Sequence, residues 1–109
     1  MAKIVFSPKA KNDLTEIGDY IAFQLHNKSA ARNVITKIRN SIYGLKDFPE
    51  SGTPLTHFDV TYRYLVCGSY MIFYHLSDNN IFIDRILYGR RDYLNILFGD
   101  KLSEEIEPE

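Results

Sequence analysis

The stretch Tyr62-Arg63-Tyr64-Leu65-Val66-Cys67-Gly68-Ser69-Tyr70-Met71-Ile72-Phe73-Tyr74-His75-Leu76 decides the fold. Two runs of aromatic and aliphatic residues flank Gly-Ser. Glycine at the first turn position is what a two-residue type II′ hairpin needs, because that position takes a positive φ. Ser77-Asp78-Asn79-Asn80 provides a second turn, and residues 81–88 form a third β-type run. Three sequential strands joined this way make an antiparallel meander, and its apolar face has to be covered by something else.

The cover lies upstream. Lys3-Ile4-Val5-Phe6 is a short strand candidate, stopped by Ser7-Pro8, a helix start in which serine caps a free N–H and proline fits the first helical position. Ala10, Leu14, Ile17, Ile21 and Leu25 then recur at helical spacing, predicting a helix that ends near His26-Asn27. Ser29 opens a second helix, with Ala31, Val34, Ile35, Ile38, Ile42 and Leu45 on its apolar stripe, closed by Asp47-Phe48-Pro49. So short a connection predicts an antiparallel helical hairpin. Glu50-Ser51-Gly52-Thr53-Pro54 reads as a loop, and residues 55–61 show no clear period. The expected order is β-α-α-β-β-β: an α+β domain over residues 1–98, an antiparallel sheet packed on a helical hairpin, with residues 99–109 as an acidic tail.

With 109 residues, 45% hydrophobic, there is room for one compact core and no second domain. No run approaches the length of a membrane span, and Ser7-Pro8 interrupts the N-terminus too early for a secretory signal, so a cytoplasmic protein is expected. Cys67 is the single cysteine and has no ligand-spaced Cys or His beside it, so neither a disulfide, a metal nor a cofactor is expected. The net charge is −1, but Asp100, Glu104, Glu105, Glu107 and Glu109 against Lys101 give the tail −4 and leave the body at +3. A chain without strong positive charge is poorly suited to gripping nucleic acid phosphates over its whole surface.

The chemistry-bearing residues gather in the C-terminal half: Arg63, Tyr64, Tyr70, Tyr74, Arg85, Tyr88, Arg90, Arg91 and Tyr93. Arginine offers a planar donor fork and tyrosine a rigid stacking face with a polar end. Strand alternation sends about half of the tyrosines to the core as packing residues, and places Asp84 and Arg85 on opposite faces. Tyr88-Gly89-Arg90-Arg91-Asp92-Tyr93 leaves the last strand through a glycine, and loops at strand ends are where function concentrates. Its bland alternative is a solvated exit turn with Asp92 neutralising one arginine. His26, His57 and His75 are read as structural or incidental, since a catalytic histidine needs an orienting partner that sequence cannot show.

The order of elements, the run Tyr70-Met71-Ile72-Phe73-Tyr74 and the segment Arg85-Ile86-Leu87-Tyr88-Gly89-Arg90-Arg91-Asp92 resemble the RelE/ParE toxin superfamily of type II toxin–antitoxin systems. Phe6-Ser7-Pro8-Lys9-Ala10 and Pro49-Glu50-Ser51-Gly52 are similar as well, so the likeness reaches from the N-terminus to about Phe98.

The resemblance implies a growth-inhibiting toxin, of the kind associated with plasmid stabilisation, held by a cognate antitoxin that lays a helix and an extended segment over the helices and sheet. It also implies that the toxin–antitoxin complex reaches operator DNA through the antitoxin. Two activities are known in the superfamily: RelE-like members cleave messenger RNA in the ribosome, and ParE-like members poison DNA gyrase without a catalytic site. The ribonucleases typically carry an arginine second in the run matched by residues 70–74, where this chain has Met71. Others end in a His-Tyr pair, and no histidine follows His75. Arg91 matches a ribonuclease arginine, and Tyr93 supplies a phenol, so Arg63, Arg91 and Tyr93 are the expected catalytic set of a RelE-like enzyme. The ParE-like reading is preferred, with Arg63, Arg85, Arg90 and Arg91 as target- or antitoxin-binding residues and with Arg63, Arg90 and Arg91 expected close together. The rival from another class is a non-toxic interaction module of the same fold.

Overall fold

The computed structural model describes residues 2–57, 60–89 and 96–97, excluding the side chains of His57 and Val60. Strand β1 (Ile4–Phe6) leads into α1 (Pro8–Asp19), where Ser7 caps the helix by accepting the Ala10 N–H at 3.0 Å and Pro8 occupies the first helical position. The helix runs on as a π turn, Tyr20–Gln24, and stops where His26 takes a left-handed φ of 53°. The expected apolar stripe holds as far as Ile21, which is buried, but Leu25 is 55% exposed. The wider π winding holds more residues per turn than an α-helix and so throws Leu25 out of phase with the stripe.

Helix α2 (Lys28–Tyr43) starts from Asn27, ahead of the expected Ser29, because the Asn27 side-chain oxygen accepts the Ala30 N–H at 2.9 Å. It tightens into a 3-10 turn at Gly44–Lys46. Next comes a strand the sequence did not reveal: β2 (Thr53–His57) contains Pro54, which reads as a breaker. Proline is tolerated there because, among the described residues, β2 is an edge strand paired only with β3 (Val60–Cys67). Strands β4 (Tyr70–Ser77) and β5 (Asn80–Tyr88) complete a sheet of five in the order β1-β5-β4-β3-β2. The meander β3 to β5 is antiparallel, as expected, and β2 extends it antiparallel to β3, whereas β1 joins β5 in parallel. Gly68 (φ 61°) turns the first hairpin, and Asp78 and Asn79, at 52° and 64°, turn the second in the manner of type I′.

The two helices cover one face of the sheet. Ala10, Ile38, Ile42, Leu45, Ile72, Tyr74, Ile81, Ile83 and Ile86 close into one core, each large side chain contributing about 1.5–3 kcal/mol by leaving water. On the opposite face Met71, Phe73 and Leu87 form a second cluster, flanked by Leu55, Tyr64, Ile96 and Leu97. Among the described residues, no helix is long and apolar enough to cross a membrane.

Candidate functional site

Between β4 and β5 the register slips by one residue: Tyr74 faces Ile83, but Phe73 faces Arg85. Asp84 is therefore an extra residue in β5, a bulge. The simple alternation expected for Asp84 and Arg85 fails here. Both residues line one recess on the helix-free side, together with Tyr62, because a bulge turns two consecutive side chains the same way.

Beyond the bulge β5 is an open edge, since β1 pairs only as far as Ile83. Asp13 of α1 closes it. Its carboxylate accepts from Arg85 Nε at 2.7 Å and Nη2 at 2.9 Å, and from the backbone N–H of Ile86 at 2.9 Å. Ser7 continues the seam, donating through its N–H to Ile83 O at 3.0 Å and through Oγ to Asp84 O at 2.9 Å. Hydrogen bonding to Asp13 raises the Arg85 pKa against the lowering effect of burial. Asp13 is buried and absent from the sequence-level candidates, although its spacing from Ala10 and Ile17 is helical and so already placed an acid beside the apolar stripe.

On the helix-free face, Asp84 Oδ2 lies 2.7 Å from His75 Nδ1. The imidazole stacks on Phe82, with centroids 5.2 Å apart and planes at 12°, and meets Tyr62 edge-on at 5.4 Å. Burial raises the Asp84 pKa, opposed by the hydrogen bond and charge of His75. Burial, and then the Asp84 charge, raises that of Tyr62. Nothing in the sequence pairs His75 with Asp84, because their meeting depends on strand register and on the bulge.

A third arrangement fixes the loop ahead of β2. Tyr74 donates its hydroxyl hydrogen to Pro49 O at 2.8 Å and accepts the Gly52 N–H at 2.9 Å. Arg63 Nη1 donates to Glu50 O at 3.1 Å and Gly52 O at 3.0 Å. Gly52 is required by space, since a Cβ there would lie 2.6 Å from the Tyr74 hydroxyl oxygen.

Arg63 and Arg85, both expected to bind a target or antitoxin, are thus tied to the chain itself, to loop carbonyls and to Asp13. Arg90, Arg91 and Tyr93 lie outside the described residues, as does the acidic tail, so the expected cluster of Arg63 with Arg90 and Arg91 is not described either. Met71 is buried with Phe73 and Leu87. On the helix side a groove of about 560 Å³ runs between the end of α1 and the ends of β4 and β5, walled by Ile17, Tyr20, Ile21, Leu25, Tyr70 and Tyr88. Tyr20 and Tyr88 are more than half exposed, and Tyr70 and Tyr88 meet edge-on at 5.5 Å. Among the described residues, no three His, Cys, Asp or Glu side chains gather as a metal site.

Two helices laid on one face of a five-stranded sheet, with the other face partly open, define the α+β architecture of the RelE/ParE-like toxins. Residues 4–93 match the family described as ParE toxin of the type II toxin–antitoxin system parDE. The chain is also 33% identical over 92 residues to Toxin RelE2 of Caulobacter vibrioides, an alignment covering 84% of this chain and 99% of that one. The protein belongs to the RelE/ParE superfamily of type II toxins.

Solved structures support the fold. The chromosomal ParDE toxin–antitoxin system from P. aeruginosa superposes with a TM-score of 0.70 at 20% identity, covering 83% of this chain and 98% of that one. The toxin–antitoxin complex RelBE2 from Mycobacterium tuberculosis gives 0.61 at 16% identity, covering 80% and 96%.

Proposed function

We propose that this toxin arrests growth by binding DNA gyrase in the ParE-like manner, in the cytoplasm, and that a cognate antitoxin holds it inactive. The observation that carries the reading is the setting of Met71. Where ribonuclease relatives carry an arginine, this chain buries a thioether among Phe73, Leu87 and Leu97. A thioether neither donates to a phosphate nor carries charge, so the stabilisation that an arginine gives a charged phosphorane is missing at that position. Arg63 and Arg85 are held by internal partners and do not replace it. Antitoxin capture is supported by the largely apolar groove beside Tyr20 and Tyr88, which Asp13 and Glu16 also line, of a size suited to the mainly apolar face of a helix. Operator DNA is then reached through the antitoxin.

Purified toxin added to a gyrase supercoiling assay should inhibit it and trap cleaved DNA, and pre-incubation with the antitoxin should relieve both effects. Gyrase that keeps full activity in a large molar excess of toxin refutes the reading. Growth unaffected by expression of the toxin alone would favour the non-toxic module instead.

A further inference from the structure

The groove between α1 and the ends of β4 and β5 carries a charge that apolar capture does not use. Asp13, Glu16, Ile17, Tyr20 and Ile21 line it from one stripe of α1 and the π turn. Among the described residues, no lysine, arginine or histidine lines it. The Asp13 carboxylate is already occupied by Arg85 and the Ile86 N–H. Glu16 is not. It lies one turn further on and is exposed; among the described residues its side chain makes no hydrogen bond or ion pair and meets Arg85 only through a longer-range effect. With Arg85 offsetting Asp13, an uncompensated negative charge stands at the wall of a groove of about 560 Å³.

The aromatic walls suit a cation as well. Tyr70 and Tyr88 have planes at 67° and centroids 5.5 Å apart, so their rings make two sides of a corner. Burial, and then the hydroxyls of Tyr88 and Tyr20, raise the Tyr70 pKa, so the three phenols sit near one another. A tyrosine face attracts an ammonium or guanidinium, and the aliphatic stem of such a side chain packs on apolar surface. Leu25 adds to that surface, because the π winding throws it off the core stripe and into the groove wall.

We infer that the groove selects a cationic anchor: the helix it captures carries a lysine or arginine within its apolar face, the stem against the tyrosines and the head at Glu16. The inference rests on the reading that an antitoxin helix is captured here, and adds what that helix must contain. It also fixes the sign of the recognition. Arg63 and Arg85 are held by internal partners, so the charge left to discriminate between helices at this groove is that of Glu16. A neutral residue at the anchor position covers Glu16 without pairing it, and an acid adds repulsion.

The test uses the full-length toxin and three synthetic helical peptides of about 20 residues, long enough to hold a helix in water. Each has leucines at i, i+4 and i+7, and they differ only in Lys, Gln or Glu at i+3, on the same face. By titration calorimetry the Lys peptide should bind about three- to tenfold more tightly than the Gln peptide, in the range of a partly exposed ion pair with a cation–π contribution. The Glu peptide should bind more weakly than either. Glu16 is exposed, so Glu16→Gln should melt near wild type and bind the Lys and Gln peptides equally, and Glu16→Lys should reverse the order in favour of the Glu peptide. Tyr20→Ala should weaken all three, whereas Tyr20→Phe, which keeps the ring face, should not. Equal binding of the three peptides to wild type, or a Lys preference that survives Glu16→Gln, overturns the inference and leaves helix capture standing. Binding of none of them, or binding indifferent to Tyr20→Ala, overturns capture at this groove and the inference with it.

Discussion

Replacing Asp13 with alanine should be among the most damaging single changes in this fold. The Asp13 carboxylate satisfies three donors at 2.7–2.9 Å: two from the Arg85 guanidinium and the N–H of Ile86. Its removal leaves a guanidinium with only 21% of its side chain exposed, without its hydrogen-bonded counter-charge and with only the more distant influence of Glu16, and leaves a buried edge N–H unsatisfied. Breaking a buried ion pair from one side costs about 3–5 kcal/mol, and an orphaned N–H about 1–3 kcal/mol. The two penalties overlap and Arg85 keeps some water, so about 3 kcal/mol is the expected loss, or roughly 10–20 °C in melting temperature for a domain of this size. Asp13→Asn keeps an acceptor oxygen and should lose about half as much. The assay is urea unfolding of wild type, Asp13→Ala, Arg85→Met and the double variant. The double variant should be more stable than the two single losses predict by about 1–3 kcal/mol, because it strands no charge. Additive losses, or a cost below about 1 kcal/mol for Asp13→Ala, would refute the assignment of Asp13 as the clamp that closes the β5 edge.

Tyr74→Phe removes the hydroxyl that holds Pro49 and Gly52, and should cost about 1–3 kcal/mol while accelerating amide hydrogen exchange in residues 50–52. Gly52→Ala drives a Cβ against the same hydroxyl and should destabilise by about 1–3 kcal/mol in thermal melts. Met71→Arg places a charge in the apolar cluster with Phe73 and Leu87; equilibrium unfolding should show a loss of several kcal/mol, and RNA cleavage should not rise. Asp84 has a folded pKa above its unfolded value, chiefly from burial, so the folded state holds the proton more tightly. Its contribution to stability is therefore most favourable below the ordinary aspartate range and is lost as pH rises through the raised folded value. Asp84→Asn should flatten that part of a stability–pH curve, and an unchanged curve would contradict the stated direction.

Most of the fold was legible because it rests on short-range signals. Gly68-Ser69 and Asp78-Asn79 define hairpins by turn chemistry alone, Ser7-Pro8 starts a helix through local hydrogen bonding, and the Ile38-Ile42-Leu45 stripe needs only helical geometry. What escaped depends on position in the assembled sheet. Pro54 looks like a breaker until β2 is known to be an edge, and β1 finds a parallel partner in β5 only through a pairing that spans most of the chain. Leu25 falls off its stripe because of a π turn that no spacing rule announces. The candidate site was less legible still. Arginine and tyrosine content drew attention to the strands, but composition cannot tell an arginine that awaits a ligand from one already held, as Arg63 is by two carbonyls and Arg85 by Asp13.

One inserted residue accounts for much of what the sequence could not show. Were β5 regular from Ile81 to Tyr88, strict alternation would place Asp84 and Arg85 on opposite faces, and the recess that both line would lose one of them. The bulge puts them side by side, where Asp84 meets the imidazole of His75 and Arg85 reaches across the edge to α1. The same slip falls just past the point where β1 stops pairing, so among the described residues the Ile86 N–H has no strand partner and is met by the acid that α1 provides. The edge clamp and the His75–Asp84 pair are therefore two consequences of one local irregularity. Loss of the Asp13 clamp should loosen the strand carrying Asp84, coupling the stability of the β5 edge to the orientation of His75.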